Sequence, residues 1–394
     1  MKIGYAQTVL TPALDRPVFL AGFGNNRRAE NIHDDLFARV LSISDGSTTL
    51  VLCALDLIGF FQVDVQAILK MLASDQVFKQ ANPHVVIAST HTHHGPDTMG
   101  LWGPDQKTRG VDEEWLNLIK PRIVTTILTA LADMRTARVR FTSVHVPGVA
   151  KNARNPEIVD DELTLAQFVA EDGNPLVTLF DFPCHPEVLW DHNPSITADY
   201  PGFLRAEVEK ITAAPCIFFS GALGGMMTPD VRDHSFDESQ VMGTRLAQEG
   251  LRALAGLAAE PVMIQYQTKI IKARLTNILY KLAFIRKLLP DIRDKAGRVT
   301  SQVGLLRIGG LWLVTVPGEM LPKLGLAVKQ DLLKAGAQVA GVIGLANDEL
   351  GYILPAEDFK YPWNPFNPGN HYEETNSIGK EIGPSVMAGI GSLL

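Results

Sequence analysis

Short apolar runs closed by Gly, Pro, Asn or Asp alternate along this chain with longer stretches in which apolar residues recur every third or fourth position. The short runs predict strands at Leu36 to Ser44, Thr49 to Leu57, His84 to Ala88, Arg138 to Val146, Leu163 to Val169 and Leu176 to Phe182. More follow at Pro215 to Ser220, Val262 to Lys269, Val303 to Ile308, Leu311 to Val316 and Val339 to Leu345. The longer periodicity predicts helices at Val63 to Ala73, Glu113 to Met134, Pro201 to Thr212, Glu238 to Leu254, Pro322 to Lys334 and from about Gly379 onward. Turn signals at Glu171-Asp172-Gly173-Asn174 and at Gly309-Gly310 predict two hairpins, so the sheets are not wholly parallel. The fold class this implies is α/β, with mixed β-sheets flanked by helices. No repeat, low-complexity tract or Gly/Ser/Pro linker divides the pattern, so residues 1–394 are expected to form a single domain.

From Ile270 to Arg293 the pattern reads as one basic amphipathic helix. Leu275, Ile278, Leu279, Leu282 and Leu289 form its apolar face, Lys272, Lys281, Arg286 and Lys287 surround it, and Pro290 marks its end. An ordinary helix docked on a sheet is the plain reading. A lid, an entry helix or a transient membrane-surface contact is the sharper one.

Composition narrows the function classes. A hydrophobic share of 46% with 20% charged residues supports a packed core and argues against disorder. A formal charge of -7 leaves no basic footprint for a phosphate backbone, so nucleic acid is not an expected partner. Cys53, Cys184 and Cys216 are widely spaced and form no C-x-x-C pair, which indicates neither a disulfide framework nor a thiolate metal site. The start MKIGYAQTVLTP lacks the apolar run of a signal peptide, and no run approaches the roughly 20 apolar residues that span a bilayer; a cytoplasmic protein is expected.

The chemistry concentrates at strand ends. Ala88-Ser89-Thr90-His91-Thr92-His93-His94-Gly95-Pro96 places His91, His93 and His94 directly after an apolar strand. If the chain stays extended, His91 and His93 share one side and His94 takes the other. Neutral imidazole is the commonest zinc donor, but a catalytic zinc needs further ligands from elsewhere. A solvated loop or a hydrogen-bonded histidine pair is the plain alternative. His185 in Phe182-Pro183-Cys184-His185-Pro186-Glu187 has the same setting, and Glu319 follows an apolar run through Pro317-Gly318. Tyr352 comes after the strand ending at Leu345; alone it carries no signal.

Several of these segments resemble the catalytic domain of the neutral, non-lysosomal ceramidases. Thr90-His91-Thr92-His93-His94-Gly95-Pro96 is similar to that family's Thr-His-Thr-His-Ser-Gly-Pro, with His94 where serine is usual. Gly4-Tyr5-Ala6-Gln7-Thr8-Val9-Leu10-Thr11-Pro12, Leu20-Ala21-Gly22-Phe23-Gly24 and Ile32-His33-Asp34-Asp35-Leu36-Phe37-Ala38-Arg39 resemble its opening segments. The resemblance implies a zinc amidohydrolase that cleaves the N-acyl bond of ceramide-like lipids by attack of zinc-bound water, with ester cleavage as a side activity. A zinc esterase or lipase on the same site, or a non-catalytic metal- or lipid-binding relative, are the alternatives.

Carried over residue by residue, the resemblance implies zinc ligands His91, His185, Glu319 and Tyr352. It places His93, Arg154 in Asn152-Ala153-Arg154-Asn155-Pro156, and Tyr372 in Tyr372-Glu373-Glu374 at the reacting centre. His93 is then expected to pass a proton to the leaving amine, Arg154 and Tyr372 to stabilise the oxyanion, and His94 to donate to Asp56 or a backbone carbonyl. Three departures stand out. The family's Gly-Asp-x-Ser-Pro stretch is Gly225-Met226-Met227-Thr228-Pro229 here. A Pro-, Asn- and aromatic-rich insert runs from Phe359 to His371. The immunoglobulin-like C-terminal domain carried by the well-known ceramidases does not follow.

Overall fold

The computed structural model describes residues 1–359 and 371–394. Most of the insert between Phe359 and His371 therefore lies outside the described residues. Three mixed sheets build the core. The first runs His84–Ser89, Thr49–Leu55, Phe37–Ser44, Lys2–Val9, Arg135–Thr136. The second runs Cys216–Ser220, Pro175–Phe182, Glu162–Val169, Arg138–His145. The third runs Ile264–Arg274, Arg298–Ile308, Leu311–Thr315, Val339–Ile343. Both expected hairpins are present: Pro175–Phe182 folds back antiparallel on Glu162–Val169, and Leu311–Thr315 on Arg298–Ile308.

The sheets face one another across a shared apolar centre that draws Leu41 and Val86 from the first, Phe168 and Ile217 from the second, and Leu306 and Leu313 from the third. Their outer faces are covered by helices. Gln62–Leu72 and Glu113–Ala132 cover the first sheet, Tyr200–Thr212 and Phe236–Leu254 the second, and Pro322–Lys334 and Ile382–Gly391 the third. Strands with apolar residues on both faces, such as Thr49–Leu55, follow from this sandwiching: one face meets the centre and the other a helix.

Each sheet contains one parallel pair, and these pairs set the geometry of the site. His84–Ser89 runs parallel to Thr49–Leu55, Pro175–Phe182 to Cys216–Ser220, and Leu311–Thr315 to Val339–Ile343. Their carboxyl ends are tied together across the sheets. Ser220 Oγ donates to Thr90 O at 2.6 Å, Gly344 N to Ser220 O at 2.8 Å, and Asn347 N to Ile87 O at 2.7 Å. Asn347 Oδ1 accepts from Ile87 N at 2.9 Å, closing the loop between the first and third sheets. Ligand sites in open α/β sheets lie outside such carboxyl ends.

Two sequence expectations need correction. The single helix from Ile270 to Arg293 is not formed: the strand Ile264–Arg274 occupies its first part, and only Ile278–Ile285 is helical. Alternation decides this, since Ile271 and Ala273 are buried while Ile270 and Lys272 face solvent, and the whole strand pairs with Arg298–Ile308. Asn277 then starts the helix by accepting from Leu279 N. Leu275 and Leu289 are both buried, but not from one helix face. The second correction is the strand Lys2–Val9, which the apolar pattern did not predict. Only Ile3 and Gly4 of it are buried, and pairing with Phe37–Ser44 makes it a strand. No described helix is long and apolar enough to cross a membrane.

Candidate metal centre and reaction cavity

His91 leaves the first sheet one residue beyond Thr90, His185 leaves the second after Phe182, and Glu319 leaves the third after Thr315. All three arrive at one point. His185 Nε2 lies 3.1 Å and His91 Nε2 3.6 Å from Glu319 Oε2. One ring nitrogen each of His91, His93 and His185 falls within 4.8 Å of the others. Tyr352 joins through backbone pairing: the short strands Glu319–Met320 and Tyr352–Ile353 run parallel with Glu319 opposite Tyr352. The four ligands expected from the sequence are thus brought together.

The path differs from the extended one expected around His91, which has φ 68°. Its N–H reaches Leu57 O at 2.9 Å, so the backbone turns before His93. The sides are nonetheless as expected, with the rings of His91 and His93 5.0 Å apart and His94 directed away. A glycine is required opposite: a Cβ on Gly22, at φ 101°, would lie 2.3 Å from His93 Cγ.

The hydrogen bonds fix which atoms face inward. His91 Nδ1 donates to Ile58 O at 2.5 Å, and His185 Nδ1 donates to Met227 O at 2.8 Å. A carbonyl only accepts, so both Nδ1 atoms carry a proton, and in the neutral form of each ring the Nε2 atom presents a lone pair. Two lone pairs therefore face a carboxylate oxygen, an arrangement that repels itself unless a positive charge sits among them. Carbonyl-pinned imidazoles are the usual arrangement around a metal ion. With only protons to supply the charge, burial opposes charging His185, but the hydrogen bond to Glu319 dominates and raises it to about 9. Burial likewise works against ionising Glu319, and His91 and His185 hold it well below the usual carboxylate range. The donor set of imidazoles and one carboxylate fits a divalent metal ion, which His91, His185 and Glu319 could hold with the Tyr352 hydroxyl beside Glu319.

His93 is held differently. Its Nδ1 is 3.1 Å from Glu187 Oε2, its backbone N–H donates to Pro186 O at 3.1 Å, and its Nε2 has no hydrogen-bond partner. Burial lowers His93 to about 4. Burial also opposes charge on Glu187, yet His93 and the Thr228 hydroxyl pull it to about 2. A neutral imidazole thus sets Nδ1 beside a carboxylate at ion-pair distance and leaves Nε2 without a partner among the described residues. The Thr228 hydroxyl lies close to Glu187.

The remaining expected residues divide. Tyr372 lines the same cavity as His91, His93, Glu319 and Tyr352, with its ring 5.9 Å from that of Tyr352. Arg154 turns its guanidinium to Glu373 at 2.5 Å and Glu374 at 2.8 Å, and lines a neighbouring cavity. It clamps the short helix Tyr372–Thr375 that presents Tyr372. His94 donates to neither Asp56 nor a carbonyl. Its Nδ1 accepts from Asn193 Nδ2 at 3.1 Å, and its Nε2 is 3.4 Å from Asp199. Asp56 is taken by Arg205 through bonds of 2.7 and 2.8 Å.

Sequence reasoning missed Glu187 and Glu349. Glu187 had a usable signal, an acid between Pro186 and the apolar Val188-Leu189. Glu349 had none in its polar run Asn347-Asp348-Glu349. Tyr280, from the helix Ile278–Ile285, forms part of the cavity wall together with Ile58, Met99 and Trp102.

Comparison with known proteins gives the family and the fold. The sequence profile described as "Neutral/alkaline non-lysosomal ceramidase, N-terminal" matches residues 3–216. The chain belongs to that family. Neutral ceramidase of Pseudomonas aeruginosa is 24% identical over 263 residues, a stretch covering 60% of this chain and 39% of that protein. The match thus spans less than half of the relative's length. The crystal structure of neutral ceramidase from Pseudomonas aeruginosa superposes with a TM-score of 0.76 at 20% identity, covering all of this chain and 73% of that one. A structure described as ceramidase complexed with C2 gives a TM-score of 0.77 at 18% identity over 75% of its length. At these identities the superpositions establish the fold.

Proposed function

We propose that this family member is a zinc-dependent hydrolase of N-acyl amide bonds in ceramide-like lipids. The observation that carries the reading is the meeting of His91 Nε2, His185 Nε2 and Glu319 Oε2 at the carboxyl ends of three sheets, with both imidazole protons turned outward. A zinc ion held there supplies Lewis acidity and lowers the pKa of a water from about 15.7 toward about 7.

The protein's own groups supply the rest. His93 Nε2, aimed into the cavity by Glu187, takes a proton from the attacking water and delivers it to the departing nitrogen. Tyr372 is half exposed, but its hydroxyl, desolvated in the cavity and near Glu319 and Glu187, is held protonated and donates to the oxygen on which negative charge develops. Arg154 acts through Tyr372, by fixing its helix with Glu373 and Glu374. The apolar wall of Ile58, Met99, Leu101 and Trp102 suits a lipid chain and excludes water.

The test is metal analysis of purified protein together with turnover of a short-chain ceramide, an N-acyl amino acid and a p-nitrophenyl ester. About one zinc per chain and the highest kcat/KM on the ceramide are expected, with both lost in His91→Ala. Full activity in His91→Ala removes the metal reading; ester turnover far above amide turnover makes the protein an esterase.

A further inference from the structure

Glu349 is an acid that the mechanism above does not use. It is 4% exposed, and it lines the cavity that holds His91, Glu319 and Tyr372. Its Oε1 accepts from Gly351 N at 3.0 Å, whereas its Oε2 has no hydrogen-bond partner among the described residues. The neighbouring Asp348 is the contrast, because it is satisfied on both oxygens by Gln62 N, Glu349 N and Ser301 Oγ. Nearby hydroxyls do not serve Glu349. Tyr280 donates to Asn376 O at 3.1 Å, and Tyr352 is directed to Met226 Sδ at 3.6 Å.

The stem of Glu349 is fixed in place. A Cβ on Gly59 would lie 3.0 Å from Glu349 Cγ and 2.9 Å from Met99 Sδ, so the acid is wedged beside an apolar wall. A buried carboxyl oxygen with no partner is rare in folded proteins and points to a group supplied from outside. We propose that Glu349 is a specificity-determining residue, which hydrogen-bonds through Oε2 to a hydroxyl borne by the substrate close to its scissile amide. A hydroxyl both donates and accepts, so it matches the carboxyl in either protonation state; an ether or a hydrocarbon does not. Sites that hydrogen-bond a substrate hydroxyl reject analogues lacking it far more strongly than apolar pockets discriminate by size, because the site's own polar atom is then left bare.

This inference rests on the amide-hydrolase reading and adds the feature of the substrate that is read. The test compares wild type, E349Q and E349L, each zinc-loaded. The substrates are a short-chain N-acyl sphingosine, its 1-deoxy and 3-deoxy counterparts, and an N-acyl alkylamine. Wild type is expected to favour the hydroxylated amide over one deoxy counterpart by at least ~30-fold in kcat/KM. E349L is expected to bring that ratio within ~3-fold, and E349Q, which still hydrogen-bonds, to keep part of it. Far-UV circular dichroism and zinc content check that the variants fold and load. An unchanged ratio in E349L overturns the proposal, and so does loss of zinc in E349L, which makes Glu349 a metal ligand instead. Calorimetric binding of the same amides separates this from the parent reading. Hydroxyl-dependent binding that E349L abolishes, without turnover, ends the hydrolase reading and keeps the assignment of Glu349; hydroxyl-independent binding overturns that assignment.

Discussion

Two buried charged regions sit close together in this fold and are solved in opposite ways. Around Arg205 the charge is met within the protein: both terminal guanidinium nitrogens meet Asp56, with Nε alone unpaired among the described residues, and Asp56 also accepts from Phe37 N and Thr90 Oγ1. Lys329 does the same for Asp160 at 2.7 Å and Glu162 at 3.2 Å. Around Glu319 it is not, because the imidazoles facing it have their protons turned away. A buried charge neutralised by its own chain holds structure together. One left facing lone pairs is a place for a cation from outside.

The comparison breaks most visibly if Glu319 is removed. Glu319→Leu is expected to abolish zinc binding and lower amide turnover by at least ~1000-fold, read by metal analysis and steady-state kinetics. Retained zinc at one per chain would erase the distinction between the two regions. Arg205→Met is the counterpart: it strands a buried Asp56 and is expected to cost about 3–5 kcal/mol in denaturant unfolding, while the folded fraction still binds zinc. Loss of zinc without loss of stability would mean that Arg205 serves the site rather than the fold.

Asp348 sharpens the comparison, because it is hydrogen-bonded yet has no cation. Burial raises it from 3.8 to about 6. A carboxyl whose pKa is higher folded than unfolded binds more protons in the native state, so its contribution is complete below the unfolded value and is lost as pH rises through the folded one. Stability is therefore expected to fall by about 3 kcal/mol from this group as pH rises from about 3 to about 7, about 2 kcal/mol of it between pH 4 and pH 6. Asp348→Asn should flatten that slope in unfolding curves; an unaltered slope assigns it elsewhere.

Metal removal gives a comparable effect on the open region alone. Zinc at 100-fold its Kd is expected to add about 2.7 kcal/mol, seen as a thermal midpoint that falls with chelator and returns with zinc. The same shift in Glu319→Leu would mean that zinc binds elsewhere. The smallest effect is expected for Glu187→Leu, which releases His93 Nδ1 while leaving His91 and His185 in place. A ~10- to 100-fold loss in kcat with KM and zinc content little changed marks a positioning role. Unchanged kcat would show that Glu187 does not direct His93.

Most elements were legible because each strand and helix carries its own apolar period, from Thr49–Leu55 to Pro322–Lys334. The stretch from Ile270 to Arg293 misled because its leucines satisfy a helical period while the pairing partner that makes its first part a strand begins only at Arg298. His91, His185 and Glu319 were legible as residues that follow apolar runs, whereas Tyr352 carried no signal until the resemblance grouped it with them. Glu349 was not legible, since an acid in a polar loop looks alike whether it meets water or a cavity. Arg154 showed the reverse error: a cation expected at the reacting centre is engaged by two acids that follow Tyr372 by one and two positions.

By itself the sequence determined the periods of the elements, the chemistry available at their ends and the family, because these depend on residue type and near neighbours. Only the tertiary structure decided that three parallel pairs, one in each sheet, end at a common point, and which nitrogen of each histidine faces it. The reason is that those facts rest on contacts between residues far apart in the chain: Ser220 with Thr90, Asn347 with Ile87, His91 with Ile58 and His185 with Met227. No local pattern encodes them.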